Sequence, residues 1–398
     1  MTTSLSLPHE RWLASQLQRW GAPGLQLALW DGSGSGPEDA RGRLVVRDRR
    51  TLASLLLQPD LAFGDAFADG SLDVQGDLVE VLVQLFETPP NAMQRFAQAW
   101  RHRRGASNTR NGSRRNIHRH YDLGNDFYAL WLDAEMVYTC AYFPTPASSL
   151  EEAQRAKLEH VARKLWIQPG ERVLELGCGW GALGLHLARE HGAHVTAYNI
   201  SSEQIRFARE RARREGLDDR VTFVEDDYRN ARGSFDAIAS VGMLEHVGAR
   251  NHKALGQVID RCLRDDGRGL VHSIGRVRPL PMNPWIERRI FPGAYAPTLS
   301  EMSQLLARVD LAVLDAENLR LHYAKTLEHW LERYEKNVDA VRDRFGESFV
   351  RAWRLYLAGS IAAFRTSSLH LWQLVFARPG TELPWTREHL YRRGREGP

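Results

Sequence analysis

From about residue 150 the apolar positions switch back and forth between two periods. Leu150–Leu165 carries them at helical spacing, with Ser148 or Ser149 available as N-cap ahead of Glu151 and Glu152. Arg172–Leu176 is a short apolar run that predicts a buried strand, and Ala182–Glu190 returns to the helical period. Further strands are predicted at His194–Tyr198, Val221–Val224, Phe235–Val241 and Gly269–Ile274, with helices at Ser202–Glu215 and His252–Leu263. Strand–helix alternation at this spacing implies an α/β fold, a doubly wound parallel sheet with helices on both faces. Two longer helices are predicted at Thr326 to about Phe345 and at Ser348–Arg365, and Leu369–Ala377 reads as a closing strand. Trp330, Tyr334, Val338 and Val341 recur at helical spacing, a stripe that predicts core packing rather than a ligand box.

Residues 1–100 mix short helical patterns with turn signals. The stretch Phe63–Asp77 separates a helix-like part from the apolar repeat Leu78, Val79, Val81, Leu82, Val83 and Leu85. This predicts a small α+β domain whose pattern assigns no chemistry. Arg101, Arg103, Arg104, Arg110, Arg114, Arg115 and Arg119 then fall among Gly, Ser, Asn and His, with no acid from Arg101 to His120, so 101–119 reads as a basic linker. A solvated connector and a patch for anionic phospholipid headgroups both fit that composition. No aromatic–basic interleaving or known motif supports nucleic acid as a partner. The expected organisation is a domain over 1–100, the linker over 101–119, and the α/β part over 120–398.

Composition narrows the picture modestly. With 43% hydrophobic and 26% charged residues the chain is an ordinary globular one, and a net charge of +4 favours an anionic partner only weakly. Cys140, Cys178 and Cys262 lie far apart with no CxxC pairing, which argues against a disulfide framework or a zinc site and suits a reducing cytoplasm. No metal is expected. Met1–Leu7 lacks a signal-peptide pattern, and no apolar run approaches the roughly 20 residues that cross a bilayer, so any membrane contact would come from the side.

The strongest motif is Glu175-Leu-Gly-Cys-Gly-Trp-Gly181, between a buried strand and a helix. Gly177, Gly179 and Gly181 permit a tight turn and a close approach to a ligand, and the helix N-terminus beyond offers unpaired N–H groups. Dinucleotide-binding proteins use similar glycines. Two features lead elsewhere: the spacing is not GxGxxG, and the acid Glu175 stands two positions before the first glycine. The segment resembles motif I of the class I methyltransferases, where that acid sits close to the amino group of S-adenosylmethionine. An acid is usual at the end of the second strand of such enzymes, for the ribose hydroxyls. Here that place reads Tyr198-Asn-Ile-Ser-Ser202, leaving Asn199, or Gln204 one turn on, for that work. Asp227 and Tyr228, after the third strand, are candidates for the adenine edge and face.

Other segments make the resemblance specific. Arg119–Tyr128, Met136–Phe143, Ser240–Gly248, Phe291–Tyr295 and Leu371–Phe376 resemble, in consistent order, the cyclopropane-fatty-acyl-phospholipid and mycolic acid cyclopropane synthases. The likeness runs from about 114 to 378 and is loose over the first hundred residues. It implies a class I methyltransferase Rossmann-like sheet, S-adenosylmethionine as cofactor, an unsaturated phospholipid of the inner leaflet as substrate, peripheral membrane contact through the N-terminal domain and linker, a cytoplasmic location and a homodimer. In this family a Tyr-Ser-Cys segment covers the cofactor and meets its methionine carboxylate. Tyr138 and Thr139 match it, with Thr keeping the hydroxyl.

The chemistry implied is unusual. An alkene is a poor nucleophile, and its alkylation leaves a carbocation that must lose a proton before a ring closes. The site therefore needs a dry slot, aromatic faces and a base that is not itself alkylated. The family holds bicarbonate as that base, and the residues implied here are Cys140, Glu245, His272, the backbone of Ile274, and Tyr323. Singly, each has a plain reading: a small buried hydrophobe, a satisfied core histidine, a packing aromatic. Matching together, they favour carbocation deprotonation over methylation of nitrogen, but do not separate ring closure from methylene- or methyl-branched products. A non-catalytic lipid-binding protein and a nucleic-acid methyltransferase are the readings from other classes. The second lacks a DPPY- or NPPY-like tetrapeptide.

Overall fold

The computed structural model describes residues 6–88, 123–382 and 384–391. The basic segment 101–119 lies outside them. Two compact units divide the chain. The first draws on Met1–Gly105, Pro279–Pro292 and Tyr323–Leu369, the second on Ala106–Arg278, Gly293–His322 and His370–Pro398. The sequence pattern assigned the two long helices to the α/β part. By contact, most of both belongs to the first unit.

The first unit has a four-stranded sheet of β1 (Gln26–Ala28), β2 (Gly34–Ser35), β3 (Arg43–Val46) and β4 (Leu72–Gln75), in the order β2-β1-β3-β4. Asp77 caps the helix Leu78–Glu87 by accepting from the Glu80 N–H at 3.0 Å. That helix is apolar enough to need cover, and the helix Glu347–Arg365 packs on it and on Pro59–Asp69. This is why 347–365 sorts with the N-terminal elements. Arg351 secures the contact by donating to the carbonyls of Phe67 and Leu72, its guanidinium 4.4 Å from the Phe67 ring centre. The predicted helix Thr326–Phe345 is two, Arg320–Lys336 and Val338–Phe345, broken at Asn337. Of the predicted stripe Trp330, Tyr334 and Val341 are buried and Val338 is half-buried.

The second unit is built on seven strands: β5 (Arg172–Leu176), β6 (His194–Asn199), β7 (Val221–Glu225), β8 (Phe235–Val241), β9 (Leu263–Gly275), β10 (Ala312–Asn318) and β11 (His370–Ala377). Their order is β10-β11-β9-β8-β5-β6-β7. β5 to β9 are parallel, whereas β11 runs antiparallel between β9 and β10. The sheet is thus mixed rather than wholly parallel. It is the class I methyltransferase sheet, with the strand order reversing between β5 and β8. Two apolar clusters cover its faces, one including Val161, Leu185 and Ile205, the other Leu255, Val258 and Leu305.

Local signals explain the main elements. Ser149 and Glu152 form a reciprocal capping box at the start of Leu150–Lys164. Gly192 and Gly216 end Ala182–His191 and Ser202–Glu215 in the left-handed conformation. β9 starts earlier than predicted because the preceding helix stops at Cys262. Within β9, Arg268 is buried, gripping both oxygens of Glu171 and donating to the Leu165 and Trp166 carbonyls.

Gly269 faces Phe376 across the β9–β11 pair, and a Cβ there would fall inside the Phe376 ring's van der Waals surface. Gly269→Ala should therefore lower stability by roughly 1–3 kcal/mol through overpacking. Chemical denaturation measures this, and an unchanged midpoint would contradict the packing of β11 on β9.

Candidate active site

The turn after β5 is shaped by three glycines with positive φ: 86° at Gly177, 54° at Gly179 and 87° at Gly181. At Gly177 a Cβ would lie 2.8 Å from that of Met243, and at Gly181 one would lie 2.6 Å from Phe223 Cζ. Gly179 differs, because no atom lies within 4 Å of where its Cβ would be. Its backbone is bare toward a cleft lined also by Tyr138, Thr139, Glu175, Asn199 and Gln204. The N–H groups of Gly177 and Cys178 both donate to the Tyr198 carbonyl, at 2.9 and 3.1 Å, fixing the turn to the end of β6.

The segment Met136–Thr139 also lines the cleft. The buried Asp133 carboxylate accepts from the N–H groups of Glu135 and Val137, at 3.0 and 2.9 Å, and Met136 is left-handed at φ 57°. Burial pushes the Asp133 carboxyl up to about 6. This strained turn delivers Tyr138 and Thr139 to the cleft. The Tyr138 ring leans on Trp131 and Tyr128, at 5.2 and 5.5 Å between centres. Gln154 donates to the carbonyls of Val137 and Thr139, and Lys157 Nζ donates to Thr139 Oγ1 at 3.0 Å. Trp180 Nε1 donates to Asn125 Oδ1 at 2.8 Å, closing one side.

Of the residues expected to hold a cofactor, Tyr138, Thr139, Glu175, Gly177, Gly179, Asn199 and Gln204 line this cleft. Asn199 Nδ2 donates to the Gly179 carbonyl at 3.3 Å and to Gln204 Oε1 at 2.8 Å. Gly181, Asp227 and Tyr228 do not line it. Gly181 packs against Phe223 and Ala208. Asp227 caps the short turn Tyr228–Asn230, and its two oxygens are held by Arg229 at 2.8 and 2.7 Å. Tyr228 is pushed up to about 12 by burial, its hydroxyl unpartnered. Glu175 is fully buried, with Oε2 lacking a hydrogen-bond partner, and burial pushes it up to about 7 against the pull of Lys157.

The expected base-site residues divide between the units. Glu245, on the short helix Leu244–Val247 after β8, is buried. Its Oε1 accepts from the Ile274 N–H at 2.8 Å and its Oε2 from Ser273 Oγ at 3.0 Å. Burial raises it to about 7, although both donors favour the charged form. His272 lies on β9 with Nδ1 3.0 Å from the Gln373 side-chain nitrogen. With that amide donating, Nδ1 accepts and the ring proton sits on Nε2. Burial keeps the imidazole neutral, well below its ordinary pKa. Cys140 is buried with Sγ 3.1 Å from the Ala141 carbonyl. Tyr323 belongs to the first unit, where its ring packs on Trp330 and Phe364.

The mycolic acid cyclopropane synthetase family matches residues 108–374. The chain belongs to that family. It is 36% identical over 384 residues to a probable fatty acid methyltransferase of Pseudomonas putida, covering 92% of this chain and 96% of that one. It is 41% identical over 260 residues to the cyclopropane-fatty-acyl-phospholipid synthase of Escherichia coli (strain K12), covering 65% of this chain and 66% of that enzyme. The solved structure of mycolic acid cyclopropane synthase CmaA1 complexed with SAH and CTAB is similar with a TM-score of 0.63 at 28% identity, over 66% of this chain and 97% of that one.

Within this cyclopropane synthetase fold, several polar residues at the site escaped sequence reasoning: Asp133, Gln154, Lys157, His246, Ser273 and Gln373. Gln154 and Lys157 had a signal. They fall on the stripe Leu150, Ala153, Leu158, Val161 of their helix, and a polar residue on a buried stripe needs a partner. His246 lines the cleft and is pulled down to about 4 by burial. Away from the cleft, Glu159 Oε2 meets His186 Nε2 at 3.3 Å and His191 Nε2 at 2.9 Å, a trio with metal-ligand spacing although no metal was expected. Arg163 holds the other oxygen of Glu159 at 2.7 Å, so the carboxylate is already satisfied and the trio serves as a clamp between helices.

Glu245 has a consequence for stability. Its folded-state pKa of about 7 exceeds the ordinary 4.5, so the folded protein holds a proton that the unfolded chain releases between those values. Its contribution is full below about 4.5 and is lost as pH rises to about 7. Glu245→Gln mimics the protonated carboxyl at every pH. Its stability relative to the parent should rise by up to about 3 kcal/mol between about pH 5 and about pH 8 in urea unfolding. A pH-independent difference would mean that Glu245 titrates normally in the fold.

Proposed function

We propose that this protein transfers a one-carbon unit from S-adenosylmethionine to the cis double bond of an unsaturated phospholipid acyl chain and closes a cyclopropane ring. The observation that carries the proposal is Glu245. It is a buried carboxyl poised near neutrality at the carboxyl end of the sheet, where open α/β folds bind their ligands. An enzyme that only methylates a nitrogen has no carbocation to deprotonate and no need of such a group.

The residues fit the cofactor. Gly179 bares its backbone to the cleft, Asn199 and Gln204 offer polar atoms at the end of β6, and the buried Glu175 is among its lining residues. When bound, the cofactor supplies an electrophilic methyl group. The chain's own contribution is to orient and to dry the site. Asn199 and Gln204 are suited to ribose hydroxyls, and the Tyr138–Trp131–Tyr128 cluster excludes water.

Alkylation of the acyl double bond leaves a cation, and ring closure requires a proton to leave. Bicarbonate fits less well than the cofactor, because the Ile274 N–H expected to bind it already donates to Glu245 Oε1. We therefore route no step through that ion. The proton-accepting group that the chain itself supplies is the Glu245 carboxylate, ionised in part near neutral pH and held in place by Ser273 and Ile274. His272, kept neutral by burial, adds no charge that would repel a cation.

The same reading makes the protein a peripheral enzyme of the cytoplasmic membrane face, contacting anionic headgroups through the N-terminal domain and the 101–119 segment. Among the described residues no helix is long and apolar enough to cross a membrane. A second reading, methylene or methyl branching of the same acyl chains, is favoured by the Pseudomonas putida relative named as a probable fatty acid methyltransferase.

Glu245→Gln should lower transfer of label from S-adenosylmethionine into phospholipid vesicles by about 10²–10⁴-fold. Its affinity for S-adenosylhomocysteine, measured by calorimetry, should change by less than about twofold. An undiminished rate would remove Glu245 from the reaction.

A further inference from the structure

Lys157 poses a problem that the reading so far does not answer. It lies midway along Leu150–Lys164, is 2% exposed, and lines the cleft. Its ammonium donates to Thr139 Oγ1 at 3.0 Å, and among the described residues no carboxylate forms an ion pair with it. Glu175, which lines the same cleft, keeps its Oε2 without a hydrogen-bond partner. A buried ammonium and a buried carboxylate that leave each other unpaired each carry a desolvation cost. One small ligand can relieve both if it presents a carboxylate to the first and an ammonium to the second. That is an α-amino acid end group.

We propose that Lys157 is the counter-charge for the α-carboxylate of the S-adenosylmethionine amino-acid moiety, acting together with Thr139. This deepens the functional reading above and rests on it. With Oγ1 accepting from Lys157, the Thr139 O–H remains a donor, so the two residues present adjacent donors to one carboxylate. Gln154 holds the Thr139 backbone carbonyl at 2.9 Å from the same helix face, which keeps the pair in register. The Lys157 ammonium is pulled down to about 8 by burial, and an anion beside it would restore its charge.

The test is calorimetric binding of two ligands to the full chain. S-adenosylhomocysteine carries the amino-acid end, whereas 5′-methylthioadenosine lacks it. Lys157→Met should weaken S-adenosylhomocysteine by about ten- to a hundredfold and leave 5′-methylthioadenosine within about twofold. Lys157→Gln keeps a donor for Thr139 without the charge and should show the same selective loss. It also serves should the methionine variant fail to fold. Equal weakening of both ligands, or no weakening of either, would overturn the assignment and leave Lys157 a structural residue. Failure of the unaltered protein to bind S-adenosylhomocysteine would remove the functional reading itself, and this one with it.

Discussion

The geometry of the second unit depends on one tight passage of backbone, from the end of β5 through Gly177, Gly179 and Gly181 into the helix Ala182–His191. Each glycine is required for a different reason. Gly177 lets the turn pass under Met243, Gly181 lets the helix start against Phe223 and Ala208, and Gly179 leaves backbone bare toward the cleft. Because β5 pairs with β6 on one side and β8 on the other, this turn sits where the sheet order reverses and the flanking loops diverge. Asn199 comes from the end of β6, and Gly242, Met243 and His246 from the end of β8. A side chain on any of the three glycines would displace at least one of these walls or fill the space they enclose.

The second physical theme is the burial of ionisable groups. Asp133, Glu175 and Glu245 are pushed up by burial, while Lys157, His246 and His272 are pushed down. All six are therefore easily neutralised. A fold optimised for stability alone would pair such groups or replace them with apolar ones. Their concentration in the second unit's cleft and beside the β8–β9 strand ends is what a site for a charged cofactor and for proton removal requires. Contrast Arg268 with Glu171, or Arg229 with Asp227, where both charges are paired and the role is structural.

The sequence made legible what rests on local backbone chemistry. The glycine turn, the buried run of β5, a serine cap ahead of Glu151 and the placement of Glu245 after β8 all follow from short-range pattern. What it hid depends on long-range packing. β10 was missed because it is an edge strand whose residues are mostly exposed, so it lacks the apolar signal of the central strands. β11 reads as a strand, but its antiparallel direction follows from the chain's return and not from its residues. The hold of Arg229 on the Asp227 carboxylate, two residues back, was likewise invisible until the turn after β7 was seen. Lys157 and Gln154 resemble solvated helix residues until their place on the buried stripe is noticed.

The most direct test of the central claim is the identity of the lipid product. Vesicles of unsaturated phospholipid are incubated with the protein and S-adenosylmethionine, and the released fatty acids are weighed by mass spectrometry before and after mild hydrogenation. The account predicts an acid heavier by one CH₂ whose mass does not change on hydrogenation, because the double bond has become a ring. An acid of that same mass that takes up hydrogen, or one heavier by CH₂ plus two hydrogens, would contradict ring closure and establish methylene or methyl branching instead.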